Sequence, residues 1–237
     1  MKTTVYTSES RGKADHGWLK SRHTFSFAGY QDRSRMNFGL LRVLNDDIVA
    51  PGKGFGAHPH ENMEIVSIPL KGTLAHKDST GTAKEIKTGD VQIMSAGSGI
   101  THSEFNYSAE EEVHFLQIWI YPKERDIQPR YEQKSFVKEE YNGAFKEVVS
   151  PEKGSDGVWI NQDAWFSLGH FKAGDHTQYS LKKSGNGAFV MVLEGEVEID
   201  GTILKRRDAI SIEDFENVEL RFLKDSQMLV IDVPMSF

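Results

Sequence analysis

The stretch GKGFGAHPHENMEIVSIPL, residues 52–70, decides the fold class. Its second half, MEIVSIPL, is a short run rich in β-branched residues, and the glycines before it and at Lys71-Gly72 mark turns. In its first half His58 and His60 stand one residue apart. Successive side chains on a strand alternate between faces, so these two imidazoles project from one face. Their Cα atoms then lie roughly 6.5–7 Å apart, close enough to converge on one ion. Working outward, similar short runs recur as VQIM (91–94), VHFLQIWIY (113–121), FVMVL (189–193) and EVEI (196–199). Gly, Pro, Asn and Asp punctuate them, with tight turns expected at Ser79-Thr80-Gly81, Thr88-Gly89-Asp90, Glu194-Gly195 and Asp200-Gly201. Many short, evenly spaced strands predict an all-β barrel or sandwich. Helical periodicity is scarce, and only a short helix within 123–133 or 150–155 is expected.

The two halves share an outline. Residues 65–72 followed by 84–94 match 189–195 followed by 203–212: an apolar strand ends at a Gly turn, and a polar strand leads to a turn containing Asp90 or Asp208. The stretch 122–157 is polar, charged and broken by Pro and Gly, as linkers are. Two barrels in tandem follow, an N-terminal one over 1–133 and a C-terminal one over 161–237, with a linker region at 134–160.

With 237 residues, 38% hydrophobic and 27% charged, the chain has ample material for packed cores. It has no cysteine, which excludes disulfides, thiolate metal sites and a cysteine nucleophile. Any metal must be held by imidazole and carboxylate. The polar N-terminus, MKTTVYTSES, lacks a signal-like apolar segment, and no run approaches the ~20 apolar residues of a membrane span. A cytoplasmic protein is expected. The net charge of −7 argues against direct nucleic-acid binding, which needs a basic face. The basic pairs Lys182–Lys183 and Arg206–Arg207 are read as solvated surface.

A His-x-His pair is weak evidence alone: with 9 His in 237 residues, about 0.3 such pairs arise by chance. A second element, AGSGITHSEFN (96–106), strengthens it. There His102 and Glu104 repeat the same spacing on one strand face. Two such pairs on separate strands can meet inside a small barrel, surrounding an ion with three imidazoles and one carboxylate. These ligands suit Fe(II), Mn(II), Ni(II), Cu(II), Co(II) or Zn(II) rather than Mg or Ca. The flanking Gly52, Gly54, Gly56, Gly97 and Gly99 permit turns and bulges beside the site.

Both segments resemble the cupin motifs. In the first, G-x5-H-x-H-x3/4-E-x6-G, Gly52, His58, His60 and Glu64 fit, and Gly72 falls one residue late. In the second, G-x5-P-x-G-x2-H-x3-N, Gly89, Gly97, His102 and Asn106 fit, although Ser95 replaces the proline and His102 comes two residues late. These departures resemble the pirin family, a branch of the bicupins. HTFSFAGY (23–30), LRVLNDDIVAPGKGFGAHPHENMEIV (41–66), LKGTLAHKDSTG (70–81) and TGDVQIMSAGSGITHSEFN (88–106) carry that resemblance. It implies two jelly-roll barrels and one metal ion on His58, His60, His102 and Glu104, with Fe(II) the first choice. Glu64, which many cupins use as the carboxylate ligand, is the competing position.

The resemblance also implies a function. Bacterial pirins are similar to quercetin 2,3-dioxygenases, which open a flavonol ring with O2 and release carbon monoxide. Glu104 would then double as ligand and general base, with Trp119, Phe55 and Met94 as cavity walls or packed core. The alternative, from mammalian pirins, is an iron-dependent redox-sensing regulator acting through a protein partner. A monomer is expected, with a dimer through an exposed strand edge left open. Of the other histidines, His114 shares parity with Leu116 and Ile118 and is expected to pack in its strand. His76 is expected in a loop, and His23 in a structural place or near the cavity mouth. In the second half His176 stands where a first ligand would sit, but Gln178 takes the next place, so that barrel is expected to hold no metal.

Overall fold

The structure is a computed structural model describing residues 1–236. Two barrels stand side by side, each built from a seven-stranded and a four-stranded sheet. In the first barrel the large sheet centres on Glu64–Lys71, Val113–Ile120 and Leu41–Val49, paired antiparallel. Its small sheet runs in the order Gly54–His60, Ile100–Asn106, Thr73–Asp78 and Ala83–Lys87. The second barrel repeats the plan, with Asn186–Glu194 and Ser226–Pro234 at the centre of its large sheet. The tandem bicupin architecture is as expected. Among the described residues no helix is long and apolar enough to cross a membrane.

Strand parity divides each large sheet into two faces. In Val113–Ile120 the side chains of Leu116, Ile118 and Ile120 join a core shared by both barrels, where they meet Phe166, Phe189, Met191, Leu229 and Ile231. Phe115, Gln117 and Trp119 point the other way, into the first barrel. The two large sheets therefore lie back to back, held by the burial of Val, Ile, Leu and Phe at roughly 25 cal/mol per Å² of apolar surface.

The interiors differ in kind. The second barrel is filled by Phe171, Val190, Val192, Val197, Leu220, Phe222 and Val230, with Phe171 and Phe222 stacked at 4.1 Å between ring centroids. His176 and Gln178 are exposed on its outside. The first barrel instead buries Ser67, His76, Gln92, His102, Glu104 and Gln117 between two small apolar clusters. A polar interior is costly unless its groups are bonded to one another or to something bound there.

Three sequence expectations need correction. The linker placed at 134–160 contains strands: Phe145–Ser150 and Val158–Trp159 belong to the second barrel's large sheet, and Lys134 and Ser135 end a strand of the first. Their sequences, FKEVVS and VW, are too short and mixed to stand out. The first strand, Lys2–Tyr6, crosses to the second barrel and pairs with Ala209–Glu213. No local pattern signals a partner so distant in sequence. Among the described residues no α-helix forms at 123–133 or 150–155; the helical turns are the 3₁₀ segments Ser8–Ser10 and Lys138–Tyr141.

Candidate metal centre

His58 and His60 lie on Gly54–His60, an edge strand, which is why it tolerates Pro59 between them. The neighbouring strand Ile100–Asn106 sets His102 directly opposite His58. The register then slips between His102 and Glu104, whose partners are His58 and Phe55, so one extra residue bulges from the first strand. Gly54 is needed at the end of this pairing: a Cβ there would lie 2.2 Å from the Glu104 carbonyl oxygen.

Three imidazoles converge. Ring centroids are 4.5 Å apart for His58–His102, 4.8 Å for His58–His60 and 4.9 Å for His60–His102. The His58 and His102 Nε2 atoms stand 3.1 Å apart. Two nitrogens each about 2.1 Å from one ion, at right angles across it, stand about 3.0 Å apart. The His58 Nδ1–H donates to the Gly56 carbonyl at 2.7 Å, which leaves the Nε2 lone pair facing inward. His60 Nε2 is buried with no hydrogen-bond partner. Burial, helped by the neighbouring imidazoles, lowers His60 to about 4 and His102 to about 3. Both are neutral at pH 7, the state a ligand requires. The donor set fits a divalent transition metal.

Glu104 is 2% exposed and firmly held. Ser67 Oγ donates to one carboxylate oxygen at 3.1 Å, and Gln117 Nε2 to the other at 2.7 Å. A carboxylate offers about four lone-pair positions, so these bonds orient it and leave it able to ligate. Its oxygens do not fall within 4.8 Å of all three imidazoles above. They cluster instead with His102 and His76. Two overlapping triads thus share His102: His58–His60–His102 at the mouth, and His76–His102–Glu104 deeper in.

His76 was expected in a loop and is a correction. It lies on Thr73–Asp78, 2% exposed, its Nε2 bonded to Asp78 at 2.8 Å and its Nδ1 without a partner. Leu74, His76 and Asp78 alternate inward, a pattern visible in TLAHKD but masked by the turn chemistry that follows. Tyr131, whose ring is 4.8 Å from that of His76, and the Ser67–Gln117 pair gave no signal of their own.

Glu64 belongs to neither triad. It begins its strand after a turn in which Asn62 adopts φ 49°, so the parity counted from His60 does not carry across. Its carboxylate accepts from Ser95 Oγ at 2.8 Å and from the Asn161 backbone N–H at 3.2 Å, tying the first barrel to the start of the second. His114 also faces away from the centre, toward Asp46. His23 is buried and bonded to Asn45 at 2.9 Å.

Trp119 meets His60 edge-on at 4.9 Å and Phe27 at 5.3 Å, forming an aromatic wall beside the imidazoles. Phe55 packs on Trp18, and Met94 is fully buried beside Ile65, so these two are core. A depression of about 330 Å³ opens over His60, bounded by Ser79, Gly99 and Ile100. That is at the lower end of small-molecule sites.

Asp47 faces the same interior. Burial pushes it up to about 7, reinforced by Asp46 and Glu104 and opposed by a hydrogen bond from Ser21. A carboxyl raised above its unfolded value gives stability that is complete below about pH 4 and is lost as pH rises through 7. Asp47→Asn removes that slope. In metal-free protein the variant is expected to gain about 2–4 kcal/mol relative to wild type between pH 5 and pH 8. Urea midpoints at the two pH values check this; parallel shifts would mean that Asp47 is ionised throughout.

Comparison with known proteins agrees with the tandem-barrel fold. Residues 4–120 match the pirin family model, and residues 147–233 match the model of a quercetinase C-terminal cupin domain. The chain belongs to the pirin family. It is 39% identical over 227 residues to a quercetin 2,3-dioxygenase of Escherichia coli K12, covering 96% of each chain. It is 40% identical over 222 residues to a pirin-like protein of Caulobacter vibrioides, covering 93% of this chain and 95% of that one. The crystal structure of the bacterial pirin YhhW from Escherichia coli, in complex with nickel(II), superposes with a TM-score of 0.93 at 37% identity. That match covers 98% of this chain and 99% of the other.

Proposed function

We propose that this pirin is a metal-dependent dioxygenase that opens the central ring of quercetin or a related flavonol with O2 and releases carbon monoxide. In this reading one ion is held by His58, His60, His102 and Glu104. The observation that carries it is the convergence of three imidazoles, His58 and His102 at ligand spacing, in a barrel whose polar interior otherwise lacks a purpose. The relative named as a quercetin 2,3-dioxygenase supports the choice of reaction. Fe(II) is the first choice; Ni, Mn, Cu, Co and Zn suit the same nitrogen and oxygen donors.

When bound, the ion supplies Lewis acidity and a path for electrons between an organic substrate and O2. The chain's residues supply the rest. Trp119 and Phe27 offer aromatic edges and faces against which a flat substrate orients. Glu104 takes the proton from the substrate's enolic hydroxyl, its carboxylate kept in place by Ser67 and Gln117. Ile65, Met94 and Ile100 keep water from the inner side of the site.

The test is turnover of quercetin under air by Fe(II)-reconstituted protein, with carbon monoxide measured directly. Stoichiometric carbon monoxide per flavonol consumed is expected. A protein that holds one ion per chain yet releases no carbon monoxide would sink the flavonol assignment and leave the metal centre standing.

A further inference from the structure

A cleft larger than the depression over His60 lies away from the three converging imidazoles. It lies between the barrels, about 710 Å³, and a second cleft of about 350 Å³ shares His114, Arg206 and Arg207 with it. Arg206–Arg207 reads in sequence as solvated surface, but Arg207 is 7% exposed. It adopts φ 66°, a backbone region unfavourable for a residue with a Cβ, in the turn before Ala209–Glu213. Arg11 is 3% exposed and reaches across from the N-terminal segment, donating from Nη2 to the Arg207 carbonyl at 2.6 Å.

These guanidinium groups are only partly satisfied by the protein, Arg207 donating from Nη2 to Glu194 at 3.3 Å. Arg11 Nε and Nη1, Arg207 Nε and Nη1, and Arg22 Nη1 are all buried without a hydrogen-bond acceptor. The smaller cleft is lined by five cationic side chains against two carboxylates, Glu9 and Asp46. Asp46 already accepts from His114, and it stands 3.8 Å from Arg207 Nη1, beyond hydrogen-bond reach. Burying cations with unpaired N–H groups is expensive, and an oxygen anion seated among them relieves that cost through charge-assisted, forked hydrogen bonds.

We propose that the seam between the barrels is a binding site for a small oxyanion, a carboxylate or a phosphate, taken by Arg11, Arg22 and Arg207. The site is separate from the metal centre: His114 on its wall points from the opposite face of the strand that carries Gln117 and Trp119. The larger cleft alongside has apolar walls, including Leu70, Phe136, Leu168 and Leu193, so an anion carrying an apolar body finds room beyond the arginines.

The experiment is calorimetric titration of the full-length protein with inorganic phosphate and, separately, with sodium benzoate, at ionic strength fixed with chloride. One saturable site per chain is expected for at least one probe, and which probe binds distinguishes phosphate from carboxylate. Arg22→Met, at a half-buried strand position, is expected to weaken binding at least tenfold. Arg207→Lys, which keeps the charge and loses the fork, is expected to weaken it as well. His58→Ala should leave it unchanged. The proposal is overturned if neither probe binds saturably, if binding survives both arginine substitutions, or if it disappears in His58→Ala, which would place the anion at the metal centre.

Discussion

His58→Ala is expected to strip the protein of its metal and abolish flavonol cleavage while both barrels stay folded. The reasoning begins with position. His58 lies on an edge strand and is only half buried, so its side chain contributes little to either core. What it contributes is a lone pair: Nδ1 is fixed on the Gly56 carbonyl, and Nε2 stands 3.1 Å from its counterpart on His102. Four-ligand sites bind transition metals with about 10–16 kcal/mol, so losing one of four donors costs several kcal/mol. Metal content after dialysis should fall from about one ion per chain to under about a tenth, and turnover by about a thousandfold or more. Metal analysis and oxygen uptake check this, with circular dichroism confirming the fold. A parallel His76→Ala discriminates between the two triads that share His102. Metal retained in His58→Ala and lost in His76→Ala would move the ion to the inner triad, with Glu104 and His76 as its other ligands.

Much of this was legible in the sequence because strand parity is a strong, local signal. The i, i+2 spacing of His58 with His60 and of His102 with Glu104 places each pair on one face, and the structure brings His58, His60 and His102 together while holding Glu104 inside the same barrel. The same rule puts His114 on the parity of Leu116 and Ile118, and the structure turns its ring to Asp46 at the seam between the barrels. Parity fails where a turn intervenes. Asn62, in a left-handed conformation, resets the count between His60 and Glu64, and Glu64 ends up bonded to Ser95 and Asn161. What sequence could not supply is pairing over long separation. The exchange of Lys2–Tyr6 into the second barrel and the meeting of Arg11 with Arg207 depend on residues almost the whole chain apart. A basic pair in a polar context gives no hint that one member is buried, because the groups that bury it are not its neighbours in sequence.

Glu104→Gln tests the second half of the mechanism. The substitution keeps the shape of the side chain and removes its charge and its basicity. Its new amide N–H2 must face either the Ser67 hydroxyl, which can turn to accept, or Gln117 Nε2, which cannot accept unless its own amide flips. The variant should therefore fold, and it keeps the three imidazoles intact. Metal affinity is expected to fall by about 10–100-fold, low enough to be overcome with added Fe(II). At saturating metal, turnover should still be down by about 10²–10⁴, the usual contribution of a positioned general base. Gln117→Leu leaves the carboxylate but removes one of its two hydrogen bonds, and should lose about tenfold by letting Glu104 swing. The pH profile separates the roles. If Glu104 takes the proton, kcat/KM is expected to vary less with pH in Glu104→Gln than in wild type and Gln117→Leu. Turnover within twofold of wild type at saturating metal would instead send the proton elsewhere. The His76–Asp78 pair is then the base to test, since His76 Nδ1 is buried, unpartnered and one ring away from His102.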